Sequence, residues 1–275
     1  MSELLFVDSD GLQIAVEVIG EGRPLIWAHG LSGWRQSGIN KFKHLADPYQ
    51  IIAFDQRGHA DSSPVTDPAM YDPARMAGDM AAILDALGCE RAIVGGESMG
   101  AATALTFALT WPERVEALLL ISPAFGDQPN EQGDITRGNG RFILEHGMEA
   151  FLEKTAVEQR QMGMPEDLIT YLREVRNSHQ PESLATAFLS VIEWVLFDDI
   201  TTLSTLDMPV YIAAWPNDPL HPFSLAERMA AAIPNAHMET IPSIMEFFLN
   251  PEGLGDRCHQ FLKENNHEDT KDTKI

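Results

Sequence analysis

The chain has 275 residues, 44% of them hydrophobic, which suits one large core of roughly 200–250 residues carrying an insertion. Its 19 basic and 41 acidic residues give a net charge of -22, a field that repels phosphate backbones and anionic lipid surfaces, so neither nucleic acid nor membrane is an expected partner. Cys89 and Cys258 stand far apart with no CxxC spacing, which argues against a disulfide framework or a zinc site. With no basic-then-apolar leader in "MSELLFVDSD" and no apolar run near the roughly 18 residues of a membrane span, the expectation is a cytoplasmic protein.

In chain order, "LLFVDSDGLQIAVEVIG" predicts an antiparallel hairpin turning at Ser9-Asp10-Gly11, where Asp-Gly permits the positive φ of a tight turn. Short apolar runs follow: "PLIWAHG", "YQIIAFD", "RAIVGGE", "VEALLLIS", "PVYIAAW" and "AHMETIP". Near-continuous apolar runs of this length are strands buried on both faces. A punctuated helix lies between the second and third: Asp72 as N-cap, Pro73 in the first turn, a stripe of Met76, Met80, Ile83, Leu84 and Leu87, and Gly88 as stop. Repeated strand–helix–strand units define the α/β class, with a mostly parallel eight-stranded sheet covered by helices.

The alternation breaks between Phe125 and Leu206, where "GRFILEHGMEAFLEKTAVEQRQMG", "PEDLITYLREVRNS" and "PESLATAFLSVIEWVLF" read as helices without strands. This is too long for a simple connection and predicts an inserted helical lid over residues 125–206, with the core formed by residues 1–124 and 207–264. The lid is rich in large apolar groups, among them Phe151, Met162, Met164, Tyr171, Phe188 and Trp194. Most such stripes serve the core of the lid itself, while a few are expected to line a pocket. Residues 265–275 are polar and predict a disordered tail.

The chemistry centres on "IVGGESMGAATALTFAL", in which Gly96-Glu97-Ser98-Met99-Gly100 matches G-x-S-x-G between a predicted strand and a predicted helix. In that context the turn is a nucleophile elbow: the flanking positions must be small, and Ser98 is projected from the sheet edge at a helix N-terminus. The same segment lacks both G-x-G-x-x-G and a Walker Gly-Lys-Ser/Thr, so no nucleotide site is expected. The histidines are scattered without metal-ligand spacing, and no metal or cofactor is expected.

At these residues the sequence resembles the α/β-hydrolase family. "WAHGLSGW" resembles the family's oxyanion loop, "FDQRGHADSS" its D-x-R-G-x-G-x-S turn with Ala60 where glycine is usual, and "AWPNDPLHP" the loop that carries the acid. The resemblance implies that the backbone N–H groups of Leu31 and Met99 form an oxyanion hole and that Asp218 is the acid, although Asn217-Asp218-Pro219 is also good turn chemistry. It assigns His29 and His59 to loop-shaping motifs; His29 and, from the apolar content of the predicted lid, Trp194 are expected to bind substrate.

The resemblance departs at the base. The family's histidine follows the last strand, and here the expected position falls on Ile244-Met245 in a loop reading "SIMEFFL". Methionine cannot accept and return a proton. His221, three residues after Asp218 in "DPLHPF", is the relocated candidate, although it precedes a helix whose N-terminal dipole disfavours an imidazolium. His237 sits at the wrong end of the last strand, and His146, His179 and Glu246 carry no assignable role.

Two function classes remain open. One is a serine hydrolase of a small apolar carboxylic ester, lactone or related C–C bond. The other is a non-hydrolytic protein on the same fold, either a ligand-binding pseudoenzyme or a cofactor-free lyase. Covalent reactivity of Ser98 separates them. The sequence assigns neither the substrate nor an oligomeric state.

Overall fold

The computed structural model describes residues 3–130 and 133–265; the expected tail therefore lies almost wholly outside the described residues. Its centre is an eight-stranded sheet of order β1-β2-β4-β3-β5-β6-β7-β8, with β1 at Glu3–Ser9, β2 at Leu12–Ile19, β3 at Arg23–Ala28 and β4 at Tyr49–Phe54. The remaining strands are β5 at Ala92–Glu97, β6 at Val115–Ile121, β7 at Val210–Ala214 and β8 at Ala236–Thr240. β1 pairs antiparallel with β2, and β2 antiparallel with β4, while every pairing from β4 through β8 is parallel. The hairpin turn uses Asp10 at φ 53° and Gly11 at φ 79°, the left-handed pair that a two-residue connection between twisted strands requires. Every apolar run read as a strand is a strand.

Helices cover both faces. α1 (Gln36–Phe42) and the C-terminal α9 (Pro251–Glu264) close one side, where Trp27, Phe42, Ile51, Tyr211, Cys258 and Phe261 share a core. α2 (Pro73–Ala86), α3 (Met99–Thr110) and α7 (Phe223–Ala232) close the other, over Ile26, Phe54, Val94, Leu118 and Ile212. α2 starts as its punctuation dictates: the Asp72 carboxylate accepts from the Ala74 N–H, Pro73 fills the first turn, and Met76, Met80, Ile83 and Leu84 are buried.

The motif read as D-x-R-G-x-G-x-S ties the hairpin to this layer. Fully buried Arg57 donates to both carboxylate oxygens of Asp79 on α2 at 2.8 and 2.7 Å, to Asp10 in the hairpin turn at 3.1 Å, and to the carbonyls of Met70 and Arg75. Ala60, where glycine is usual, adopts φ 41°.

The insertion between β6 and β7 holds α4 (Gly133–Gln161), bent at Gly147 with φ 82°, α5 (Glu166–Asn177) and α6 (Pro181–Ser190). The helix expected to continue through Phe197 ends at Ser190, passes through one 3-10 turn at Val191–Glu193, and continues extended from Trp194. A second difference concerns "SIMEFFL". It forms a short helix, α8 (Ile244–Leu249), in place of the expected loop, and Asn250 then caps α9 by accepting from the Gly253 N–H. Among the described residues no helix is long and apolar enough to cross a membrane.

Candidate active site

Ser98 stands between β5 and α3 at φ 54°, ψ -115°, a backbone conformation that costs a non-glycine residue of order 1–3 kcal/mol and persists only where the surroundings fix it. Those surroundings are tight. A Cβ on Gly96 would lie 2.3 Å from the Gly100 carbonyl oxygen, and one on Gly100 would lie 2.0 Å from that of Ala28, so both flanks admit glycine only. The Ser98 N–H donates to the Ile121 carbonyl at 2.9 Å, anchoring the turn to β6.

β7 ends at Ala214, and the loop after it carries both partners of the serine. The His221 ring accepts from or donates to Ser98 Oγ through Nε2 at 2.8 Å, while Nδ1 lies 2.8 Å from Asp218 Oδ2. Because a carboxylate only accepts, Nδ1 carries the proton and Nε2 is left to accept from the serine hydroxyl. Asp218 also accepts from the backbone N–H groups of Leu220 at 2.8 Å and His221 at 3.2 Å, and from Trp215 Nε1 at 2.6 Å. Burial pushes the pKa of this carboxyl up, but the bonds from His221, Leu220 and Trp215 outweigh it and hold the value below the ordinary 3.8. The turn-forming and imidazole-orienting readings of Asp218 are thus compatible, since one oxygen shapes the loop and the other holds the ring.

The loop after β3 lies against the elbow: a Cβ on Gly30 would come within 3.4 Å of Ser98 Cβ. Ser32 at φ 61° and the Gly33 N–H bond to the Gly30 carbonyl turn this loop so that Leu31 lines the cavity. Met99 opens α3, where first-turn N–H groups have no intrahelical acceptor.

His29 and Trp194, both expected to bind substrate, do not line the cavity. His29 is buried beneath the loop after β3, donating from Nδ1 to the Gly30 carbonyl and accepting at Nε2 from the Gln56 N–H. Desolvation pushes its pKa down to about 3. Trp194 is buried where the insertion meets the body, packed on Phe125 and donating to the Tyr71 carbonyl at 2.8 Å. Both side chains hold the walls in place.

His59 and His179 complete a buried row with His29, the rings 5.1 and 5.2 Å apart, and His179 donates to the Gly33 carbonyl. His146 is exposed beside Glu145, His237 stacks on Tyr211 along β8, and Glu246 pairs with Arg257. None of these touches Ser98.

The cavity above Ser98 has a volume of about 720 Å³. Phe151, Tyr171, Val175, Phe188 and Ile192 of the insertion line it from above, and Trp215, Ile244 and Phe247 from the side. Exposed Ile135, Met162 and Leu249 form an apolar rim. One feature escaped the sequence reading: Glu97, the variable residue before Ser98, forms a buried ion pair with Lys41 of α1 at 2.6 Å. Lys41 also donates to the Ser37 carbonyl and lies 4.6 Å over the ring of Phe247, linking elbow, α1 and α8. Among the described residues no group of three or more His, Cys, Asp or Glu is placed to hold a metal ion.

A strained serine elbow under a helical insertion, on this sheet order, defines the class: an enzyme scaffold of the hydrolase type. The chain belongs to the alpha/beta hydrolase fold family, whose profile matches residues 23–244. A curated relative, the dihydrolipoyllysine-residue acetyltransferase component of the acetoin cleaving system of Cupriavidus necator, is 34% identical over 173 residues. That match takes in 61% of this chain and only 45% of the relative. Among solved structures, an esterase from Thermogutta terrifontis superposes with a TM-score of 0.80 at 24% identity, covering 95% of this chain and 98% of the other. The enol-lactonase of Burkholderia xenovorans LB400 gives 0.80 at 18%, covering 94% and 100%. At those identities the likeness speaks for the fold.

Proposed function

We propose that the protein is a serine hydrolase of small, largely apolar carboxylic esters or lactones, with Ser98 as nucleophile, His221 as a relocated general base and Asp218 orienting it. The observation that carries this reading is the continuous chain from Ser98 Oγ through His221 to Asp218, with both contacts at 2.8 Å. The apolar lining and rim of the cavity support an apolar acyl or ring group. On this reading His221 takes the role that the family resemblance would place at Ile244-Met245.

Ser98 Oγ attacks the substrate carbonyl carbon while its proton passes to His221 Nε2. The imidazolium so formed is stabilised by Asp218, which offsets the nearby N-terminus of α7, and the carbonyl oxygen becomes an oxyanion facing the N–H groups of Leu31 and Met99. Collapse breaks the C–O bond; the alkoxide takes the proton from His221 and leaves as alcohol. Water, deprotonated by the same ring, then attacks the acyl-serine, and the second collapse returns the proton to Ser98 and frees a carboxylic acid. In a lactone the alcohol stays tethered and one hydroxy acid is released.

The test is fluorophosphonate labelling located by mass spectrometry, with hydrolysis of 4-nitrophenyl hexanoate measured in parallel. Labelling at Ser98 that is lost in Ser98→Ala and slowed in His221→Ala is expected. An unlabelled wild-type serine and no turnover from pH 5 to 9 overturns the reading.

A further inference from the structure

Charge in the cavity does not balance. Its charged lining residues are Lys41, Glu97, Glu158, Asp167 and Arg176. Lys41 and Glu97 neutralise each other at 2.6 Å, Glu158 is held by Lys154 at 2.8 Å, and Asp167 is exposed at the outer edge. Arg176, in the last turn of α5, is left over. Among the described residues the one hydrogen bond of its guanidinium is a long contact from Nη1 to Thr155 Oγ1 at 3.4 Å, and no carboxylate lies within ion-pair distance. A guanidinium presents five N–H donors, so most of this one is unused.

A partly buried charge without an ion-pair partner is costly, and in a chain with a net charge of -22 acidic partners are not scarce. Burial pushes the Arg176 pKa down to about 10, with Glu158 opposing, so the group stays charged at neutral pH. Beside it, Thr155 and Gln159 lie one helical turn apart on α4 and both line the cavity, where the Gln159 side chain is largely covered by the protein. Arginine, threonine and glutamine converge here on the insertion side of the cavity, near the apolar side chains of Phe151, Val175 and Phe188.

We propose that Arg176 binds a carboxylate on the substrate, so that the preferred ester or lactone carries a free acid group in addition to the carbonyl that Ser98 attacks. The substrate class rests on the hydrolase reading above. A single unmatched positive charge, with acidic Glu158 nearby, matches a monoanion and disfavours a phosphate dianion. The planar guanidinium fits the two carboxylate oxygens side by side, while the Gln159 amide on the same stretch of cavity wall supplies an N–H donor type for the same group.

Mono-4-nitrophenyl adipate and 4-nitrophenyl hexanoate, equal in chain length, test the proposal. The ratio of their kcat/KM values is measured in wild type, Arg176→Gln and Arg176→Lys, so that intrinsic reactivity cancels between proteins. The ratio is expected to fall about 10- to 100-fold in Arg176→Gln, the range of one charge-assisted pair, mostly through KM for the hemiester, with partial retention in Arg176→Lys. In wild type, salt is expected to lower it. A ratio unchanged in Arg176→Gln overturns the proposal.

Calorimetric binding of monomethyl adipate against dimethyl adipate separates this from a failure of the hydrolase reading. If wild type turns over neither ester and Ser98 is unlabelled, monoacid binding that weakens in Arg176→Gln still supports the anchor. Equal binding of monoacid and diester by wild type overturns it, and requires no variant to fold.

Discussion

At the scale of residues, the proposed catalytic apparatus is unusual in that acid and base share one loop. Asp218 and His221 are separated by Pro219 and Leu220, and the same carboxylate that bonds the imidazole accepts the N–H groups that close the turn. Loop and dyad are one structure. On the proposed assignment His221→Ala is expected to lower kcat about 10³- to 10⁴-fold for 4-nitrophenyl hexanoate with KM little changed, because the ring acts on the transition state. Adding Met245→His to that variant is expected not to restore turnover: Ile244 and Phe247 line the cavity, and Met245 does not. Recovery of rate in the double variant, read by the same assay, would place an imidazole at 245 within reach of Ser98. Asp218 and His221 were legible as candidates because their spacing is local. The rejection of His29 and Trp194 as cavity residues was not, since burial against a neighbouring element leaves no mark on either residue's own segment.

Among elements, the insertion is fastened to the body by polar bonds. Ser183 on α6 donates to the Gly58 carbonyl and accepts from the Val65 N–H, both at 2.8 Å, and Tyr71 donates to the Ser183 carbonyl. The Arg57 cluster fixes the turn that receives these bonds. Asp79→Ala is expected to cost about 3–5 kcal/mol in urea unfolding, because it leaves a buried guanidinium with the half-exposed Asp10 as its one carboxylate, beside the Met70 and Arg75 carbonyls, and to leave the m-value unchanged. A cost under 1 kcal/mol would mean that Asp10 and the two carbonyls suffice to compensate Arg57. Strands were legible as short apolar runs and α2 through its caps. α8 was not: six residues between a strand and a Pro-capped helix hold less than two turns, too few for a periodic stripe.

For the molecule as a whole, the buried histidine row couples stability to pH. Desolvation lowers the pKa of His29 to about 3, puts His59 well below 6.5 and lowers His179, so the folded chain keeps them neutral where the unfolded chain, at about 6.5, takes up protons. The stabilisation is complete above pH 6.5 and is lost as pH falls below it, by up to about 1.4 kcal/mol per pH unit for each group. Asp55 and Asp79, whose carboxyls burial pushes up, work in the opposite sense. Comparing unfolding free energies of wild type and His59→Asn at pH 7.0, 6.0 and 5.0 isolates one member, and a flatter slope in the variant is expected. Parallel slopes would show that His59 is protonated in the folded protein.

The sequence by itself determined the fold class, the elbow at Ser98 and the order of strands and helices. Each of these is written in a local pattern: an apolar run, a capping pair, or a glycine-flanked serine. Only the tertiary structure decided which histidine approaches Ser98, which large side chains face the cavity, and that among the described residues Arg176 has no carboxylate within ion-pair distance. An arginine in the last turn of a helix reads as ordinary complement to the helix dipole. Its isolation is a property of what the rest of the chain fails to bring near it, and no local pattern encodes an absence across elements.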